Sequence, residues 1–139
     1  MGDLPAFNPD LDGESPPRTV VDLRQAIRES DALLFSAPEY AGGLPGSFKN
    51  LLDWTVGDDR PGSIYEKPVG WVNVAARGAP HAHESLRRVL GYVGAQIIER
   101  ACVEIPVTSA MVSEDGLVAD DSVRVRLSRT LETLARASS

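Results

Sequence analysis

The stretch ALLFSAPEYAGGLPGSFKNLLDW, residues 32–54, decides how the rest of the chain is read. Its start, ALLFSA (32–37), is short, continuous and apolar, as expected of a strand covered on both faces of a parallel sheet. Pro38 ends it. Glu39 and Tyr40 follow, then Ala41, Gly42 and Gly43, and a Pro45-Gly46 pair. From about Pro45 to Val56 the spacing predicts a helix, with Phe48, Leu51, Leu52 and Thr55 along one face and Lys49, Asn50 and Asp53 largely off it. So much glycine between a strand and a helix has two readings. Either it shapes a tight turn, or it lets the backbone lie against a flat or anionic ligand.

Working outward, residues 1–18 are rich in Pro, Asp and Gly and read as loop. Thr19 reads as the N-cap of a first helix, with Val20, Leu23 and Ile27 at helical spacing and Arg24, Arg28 and Glu29 between them. That helix is expected to end near Asp31. Downstream, GDDRPGSIYEKP (57–68) connects to a second strand, VGWVNVA (69–75). ARGAPHAH (76–83) reads as loop, and a helix follows with Leu86, Val89, Leu90 and Val93 in register and Gly94 at its C-terminus. QIIERACVEIPV (96–107) reads as a third strand. After a long loop, Ser122 reads as the cap of a last helix with Val123, Leu127, Leu131 and Leu134 inward, although VRVRL alternates as a strand would. No internal repeat is present.

Strands alternating with helices imply a parallel sheet with right-handed crossovers. Ligands of such sheets bind beyond the carboxyl ends of the strands. Loops 38–46 and 76–80 both lie at such ends, and as consecutive strand-to-helix loops they should be neighbours on one edge.

With 139 residues, 42% of them apolar and 24% charged, the chain suits one soluble domain over residues 1–139. No apolar run approaches the length that spans a bilayer. The start MGDLPAFNPD lacks the basic region and apolar core of a secretory signal, and Ala6 stands where a myristoylation signal needs Ser or Thr. The single cysteine, Cys102, allows no internal disulfide and fits a cytoplasmic location. It lies in an apolar strand and reads as a buried, inert thiol. A net charge of −6 argues against nucleic acid as a partner. The expected partners are small molecules, with neither nucleic acid nor membrane.

PEYAGGLPGSFKNLLDW, preceded by an apolar strand and by LPAFNPDLD, resembles the NADPH-dependent FMN reductase family of flavodoxin-like proteins, which includes FMN-dependent quinone, azo-dye and chromate reductases. The similarity continues through KPVGWVNVAARG and LRRVLGYVGA and covers nearly the whole chain. It implies a flavodoxin-like three-layer α/β/α fold, FMN and NADPH as cofactors, and a two-step transfer from NAD(P)H through FMN to an acceptor such as a quinone. By the same resemblance Pro38, Glu39 and Tyr40 border the isoalloxazine, chiefly through backbone groups and the tyrosine face. Ala41, Gly42 and Gly43 let the chain pass close to it, and Ala75, Ala76, Arg77 and Gly78 touch its pyrimidine edge. A homodimer or homotetramer is also implied. Two positions depart from the family: Ala41 stands where Asn is common, and Gly43 where Ser is common.

A third departure is at the front. In the family a strand-helix-strand unit, roughly 30 residues, precedes the segment resembling LPAFNPD, which here starts three residues after Met1. The expectation is therefore an N-terminally truncated sheet keeping the equivalents of strands 3, 4 and 5, with the first of them at an edge. In the order 2-1-3-4-5 the absent strand 1 is central, and its loop and helix N-terminus hold the FMN phosphate. A longer native protein, an inactive flavodoxin-like remnant serving as an oligomerisation or interaction module, and an edge that pairs with another chain are the alternatives this leaves.

Other residues have plainer readings. Hydride transfer between NAD(P)H and flavin is cofactor chemistry, so no acid–base residue is expected. Lys49 and Asp53 read as a surface pair. His81, His83 and Glu84 read as a solvated loop in preference to a metal site. Arg77 either meets a nucleotide phosphate or is simply exposed. Trp54 and Trp71 read as packing residues, with Trp54 a candidate for a subunit interface.

Overall fold

The computed structural model describes residues 1–138. Helix α1 (Arg18–Glu29) leads into strand β1 (Leu33–Phe35). Helix α2 (Gly46–Asp53), strand β2 (Pro68–Asn73) and helix α3 (Pro80–Tyr92) follow. Strand β3 (Gln96–Glu104) and helix α4 (Asp121–Ala137) complete the chain. The strands form one sheet in the order β1-β2-β3, and both pairings are parallel.

Helices cover the sheet from two sides, and two apolar clusters record it. Ile27 of α1, Phe48 and Leu52 of α2, Val69 and Trp71 of β2, and Leu86 and Leu90 of α3 pack together. On the opposite face Val72 of β2 packs with Ile105 and with Val123 of α4. The alternation of Val69, Trp71 and Val72 between clusters is the period-two consequence of a strand buried on both faces. Helix α4 lies over β3 and β2. Strand β1 is therefore not covered on both faces as its sequence suggested: Leu34, pointing away from α1 and α2, is 39% exposed. The strand is the sheet edge that the truncated order predicts.

Several boundaries differ from the sequence reading. Thr19 lies inside α1, whose N-cap is Pro17. Helix α3 begins at Pro80, whose fixed φ suits the first helical position, so His81 and His83 are helical. Its other end is as read. Gly94 takes φ +69, and the N–H groups of Gly94 and Ala95 reach the carbonyls of Gly91 and Leu90, a Schellman closure. Asp120, not Ser122, caps α4, its Oδ1 accepting from the N–H groups of Ser122 and Val123 at 2.9 and 3.1 Å. The alternation in VRVRL gives way to that cap and to the helical spacing of Val123, Thr130 and Leu134, which are buried.

Strand β3 also carries a bulge. Val69 pairs with Ile97 but Trp71 pairs with Cys102, so residues 98–101 lie opposite the single residue Gly70. A Cβ on Gly70 would sit 2.7 Å from the Ala101 carbonyl oxygen. Glycine is required there by backbone approach.

The N-terminal segment straps across α2. The Pro5 carbonyl accepts from Trp54 Nε1 at 2.8 Å and from Asn50 Nδ2 at 2.9 Å, while Phe7 N–H donates to Asn50 Oδ1. The Phe7 ring meets Trp54 edge-on at 4.9 Å. Trp54 is fully buried under this strap, as a packing residue. Arg24, which lies between the apolar positions of α1, is also buried. Its guanidinium pairs with Asp12 at 2.7 Å and donates to the Trp54 carbonyl at 2.9 Å.

Candidate functional site

The loops that follow β1 and β2 stand side by side at the carboxyl edge of the sheet. In the first, Tyr40 N–H donates to the Gly43 carbonyl at 3.0 Å and Gly43 N–H to the Tyr40 carbonyl at 3.1 Å. Ala41 and Gly42 between them have φ of +49° and +74°, the two positive values of a type I′ turn. Asn-Gly is the preferred pair for that turn, so Ala41 replaces a residue suited to the left-handed region with one that is strained there. The Tyr40 ring is 66% exposed. Added Cβ atoms on Gly42, Gly43 and Gly46 would meet nothing within 4 Å, so the outer side of this loop is open.

The second loop leaves β2 at Asn73, whose Oδ1 accepts from Ala75 N–H at 3.1 Å. A turn closed by Gly78 N–H and the Ala75 carbonyl follows. Ala76, Arg77 and Gly78 are exposed, and Arg77 has no carboxylate partner among the described residues. Among the described residues the N–H groups of Ala41, Gly42, Ala76 and Arg77 also lack a protein acceptor.

Glu39 ties the two loops together. Its Oε2 accepts from the N–H groups of His81 and Ala82, at 3.0 and 3.1 Å, in the first turn of α3. The N-cap position of α3 is Ala79, which has no side-chain acceptor of its own. His83 closes the same turn from within, with Nδ1 2.9 Å from the Ala79 carbonyl, so Nδ1 carries a hydrogen, and its buried Nε2 has no partner among the described residues. At 8% exposure His83 is not part of the solvated loop that the sequence suggested. The helix starts earlier than the apolar periodicity implied, and that start carries His83 inward beside Trp71.

Behind the loops Arg87 stacks over Trp71 at 4.9 Å and pairs with Glu99. Cys102 is half-buried and its Sγ donates to the Ile98 carbonyl. Burial, with the nearby Glu99 charge, pushes its thiol up to about 11, so it stays protonated and unreactive at neutral pH.

All the residues expected to meet a ligand, Pro38–Gly43 and Ala75–Gly78, thus fall on two adjoining turns. The sequence reading missed the role of the Glu39 side chain. One signal pointed to it: a helix starting Ala79-Pro80, with no Ser, Thr, Asp or Asn at its N-cap, needs an acceptor from elsewhere.

Residues 1–109 match the family model described as NADPH-dependent FMN reductase. The chain belongs to that family. It is 31% identical, over 97% of its length, to a quinone reductase of Pseudomonas putida and spans 73% of that relative. A 2-hydroxy-1,4-benzoquinone reductase from a Burkholderia species is 27% identical over 97% of this chain, which covers 74% of it. Among solved structures FerB, a flavoenzyme NAD(P)H:(acceptor) oxidoreductase from Paracoccus denitrificans, superposes with a TM-score of 0.79 at 28% identity, over 96% of this chain and 75% of that one. The fold is the flavodoxin-like fold of the family. Both turns lie inside the matched residues 1–109.

Proposed function

We propose that residues 1–139 act as one domain of an NAD(P)H-dependent FMN oxidoreductase with a quinone-type acceptor. The observation that carries this reading is the pair of adjoining turns at the carboxyl edge, one bearing the exposed Tyr40 and the other the exposed residues 76–78. The fit to a flavin ring is chemical. Tyr40 offers an aromatic surface, Gly42 and Gly43 leave room for a ring to approach, and the free N–H groups of Ala41, Gly42, Ala76 and Arg77 offer donors for the oxygens of a pyrimidine edge. Pro38 and Glu39 border this surface through their backbone. Arg77 offers a guanidinium for a nucleotide phosphate of NADPH. Bound FMN supplies the redox chemistry, two electrons taken from NAD(P)H and delivered to the acceptor in a second half-reaction. The protein's own part is to hold and orient both partners, and no side chain is needed as general acid or base.

A homodimer or homotetramer accompanies this reading. Val56 (51% exposed) and Tyr92 (82% exposed) rim a recess of about 310 Å³ between α2 and α3, whose other walls are Lys49, Asp53, Arg88 and Val89. An apolar rim around paired charges suits a self-complementary contact, and sedimentation measures it. A cytoplasmic location accords with the single free thiol. No helix among the described residues is long and apolar enough to cross a membrane.

The test is titration of the chain with FMN, followed by flavin fluorescence. Saturable quenching, then oxidation of NAD(P)H dependent on a quinone with ping-pong kinetics, is the expected result. Absence of saturable quenching up to millimolar FMN would remove the flavin function and favour the non-enzymatic module.

A further inference from the structure

The first turn of α3 has few hydrogen-bond donors, and one carboxylate takes both of those left over. Pro80 has no N–H. His83 N–H is bonded to the Ala79 carbonyl at 3.1 Å. His81 and Ala82 remain, and both donate to Glu39 Oε2. A helix end normally takes such an acceptor from its own N-cap residue. Here it comes from 42 and 43 residues away, from the loop after the neighbouring strand. The bonds are charge-assisted, and the carboxylate also sits at the positive end of the α3 dipole.

Glu39 is placed where such a bond has reach. It directly precedes Tyr40, which closes the type I′ turn with Gly43. Its partners directly follow the exposed turn of residues 75–78. Any movement of the carboxylate relative to α3 therefore changes the spacing between the two turns. The opposite side of the α3 turn is already fixed by His83 Nδ1 on the Ala79 carbonyl. With its amides filled by a protein carboxylate, the α3 N-terminus offers nothing to a ligand phosphate.

We propose that Glu39 is a positioning residue that caps α3 in trans and so sets the distance and tilt between the Tyr40 turn and the 75–78 turn. The proposal rests on the flavin function proposed for these turns, and it adds the element that makes them one surface.

The experiment compares wild type, Glu39→Ala and Glu39→Gln in the 139-residue chain. Amide exchange and chemical shifts are read by NMR without ligand, and FMN affinity and the visible circular dichroism of bound flavin are read by titration. In Glu39→Ala the His81 and Ala82 amides should exchange about tenfold faster, the Tyr40–Gly43 signals should move, and FMN should bind about tenfold more weakly with an altered flavin spectrum. Glu39→Gln keeps an acceptor oxygen at the same reach and should restore most of the protection, the affinity and the spectrum. Unchanged exchange in Glu39→Ala would overturn the cap. Faster exchange with unchanged FMN affinity and spectrum would overturn the positioning role, and so would failure of Gln to rescue. A wild type that does not bind FMN would remove the flavin function by itself. The ligand-free spectra would then decide the coupling, and Tyr40–Gly43 signals unmoved in Glu39→Ala would overturn it.

Discussion

Replacing Arg24 with Met should cost the fold about 3–5 kcal/mol, because it leaves a charge buried without its partner. The Arg24 and Asp12 side chains are 5% and 9% exposed, so water screens their 2.7 Å pair weakly. Arg24 Nε also satisfies the Trp54 carbonyl at 2.9 Å. Methionine keeps most of the apolar stem, so the loss comes from the stranded Asp12 carboxylate and the unpaired carbonyl, the latter about 1–3 kcal/mol. Adding Asp12→Asn should recover much of the loss, since removing both charges removes the desolvation penalty too. The two changes should therefore be non-additive by about 2 kcal/mol. Gly57→Ala probes the same pair without touching it. Its Cβ would overlap the Asp12 carboxylate, lying 2.9 Å from Cγ and 3.1 Å from Arg24 Nη2, and must push the carboxylate off Arg24. Urea denaturation followed by tryptophan fluorescence reads the wild type and the four variants, with an expected midpoint shift of roughly 1–3 M for Arg24→Met. A loss below about 1 kcal/mol, or single losses that simply add, would refute the reasoning.

Ala41→Asn should stabilise the chain by about 0.5–1 kcal/mol, because it relieves a left-handed alanine in a type I′ turn; an unchanged or lower thermal midpoint would contradict this. Gly70→Ala should destabilise by about 1–3 kcal/mol, since the new Cβ meets backbone across the bulge, and a neutral result in the same urea assay would show that β3 yields there. Burial alone would raise the Asp58 carboxyl, but the Arg60 and Arg28 guanidiniums outweigh it and hold its pKa below the usual 3.8. A depressed carboxylate stabilises above its unfolded pKa and loses that contribution as pH falls through the folded one, so Asp58→Asn should flatten the stability curve below about pH 4; parallel acid limbs for mutant and wild type would refute it. Riboflavin should bind this chain within about threefold of FMN, because Glu39 fills the α3 N-terminus beside the 75–78 turn; a preference for FMN beyond about a hundredfold would place a phosphate site elsewhere in residues 1–138, the uncapped α2 start at Gly46 included.

The order of elements and the parallel sheet were legible because apolar runs, helical spacing and glycine punctuation are local signals. The Schellman close at Gly94 was legible for the same reason. What a distant partner decides was not legible. Arg24 lies between apolar positions on α1, and its burial depends on the 3₁₀ turn at residues 9–11, which brings Asp12 over it. Trp54 has its indole N–H satisfied by Pro5, a residue 49 positions away that no periodicity marks. The coverage of β1 depends on which strands α4 crosses, and that is a property of the assembled sheet. At the candidate site, the family pattern pointed to two turns that the fold brings together, while the side-chain bond that joins them spans 42 residues and leaves its trace only as a missing cap at Ala79.

That missing cap separates two demands that FMN makes. A flavin ring needs flat, open backbone with free donors, and the two turns have it. A phosphate needs unfilled amides at a helix start, and α3 has already given its amides to Glu39. The carboxylate that ties the two turns together therefore also closes the α3 start to phosphate. This division follows from where one carboxylate sits. Recognition of the ring should consequently respond to changes at Glu39, Ala41 and the 75–78 turn, while any recognition of the phosphate should not.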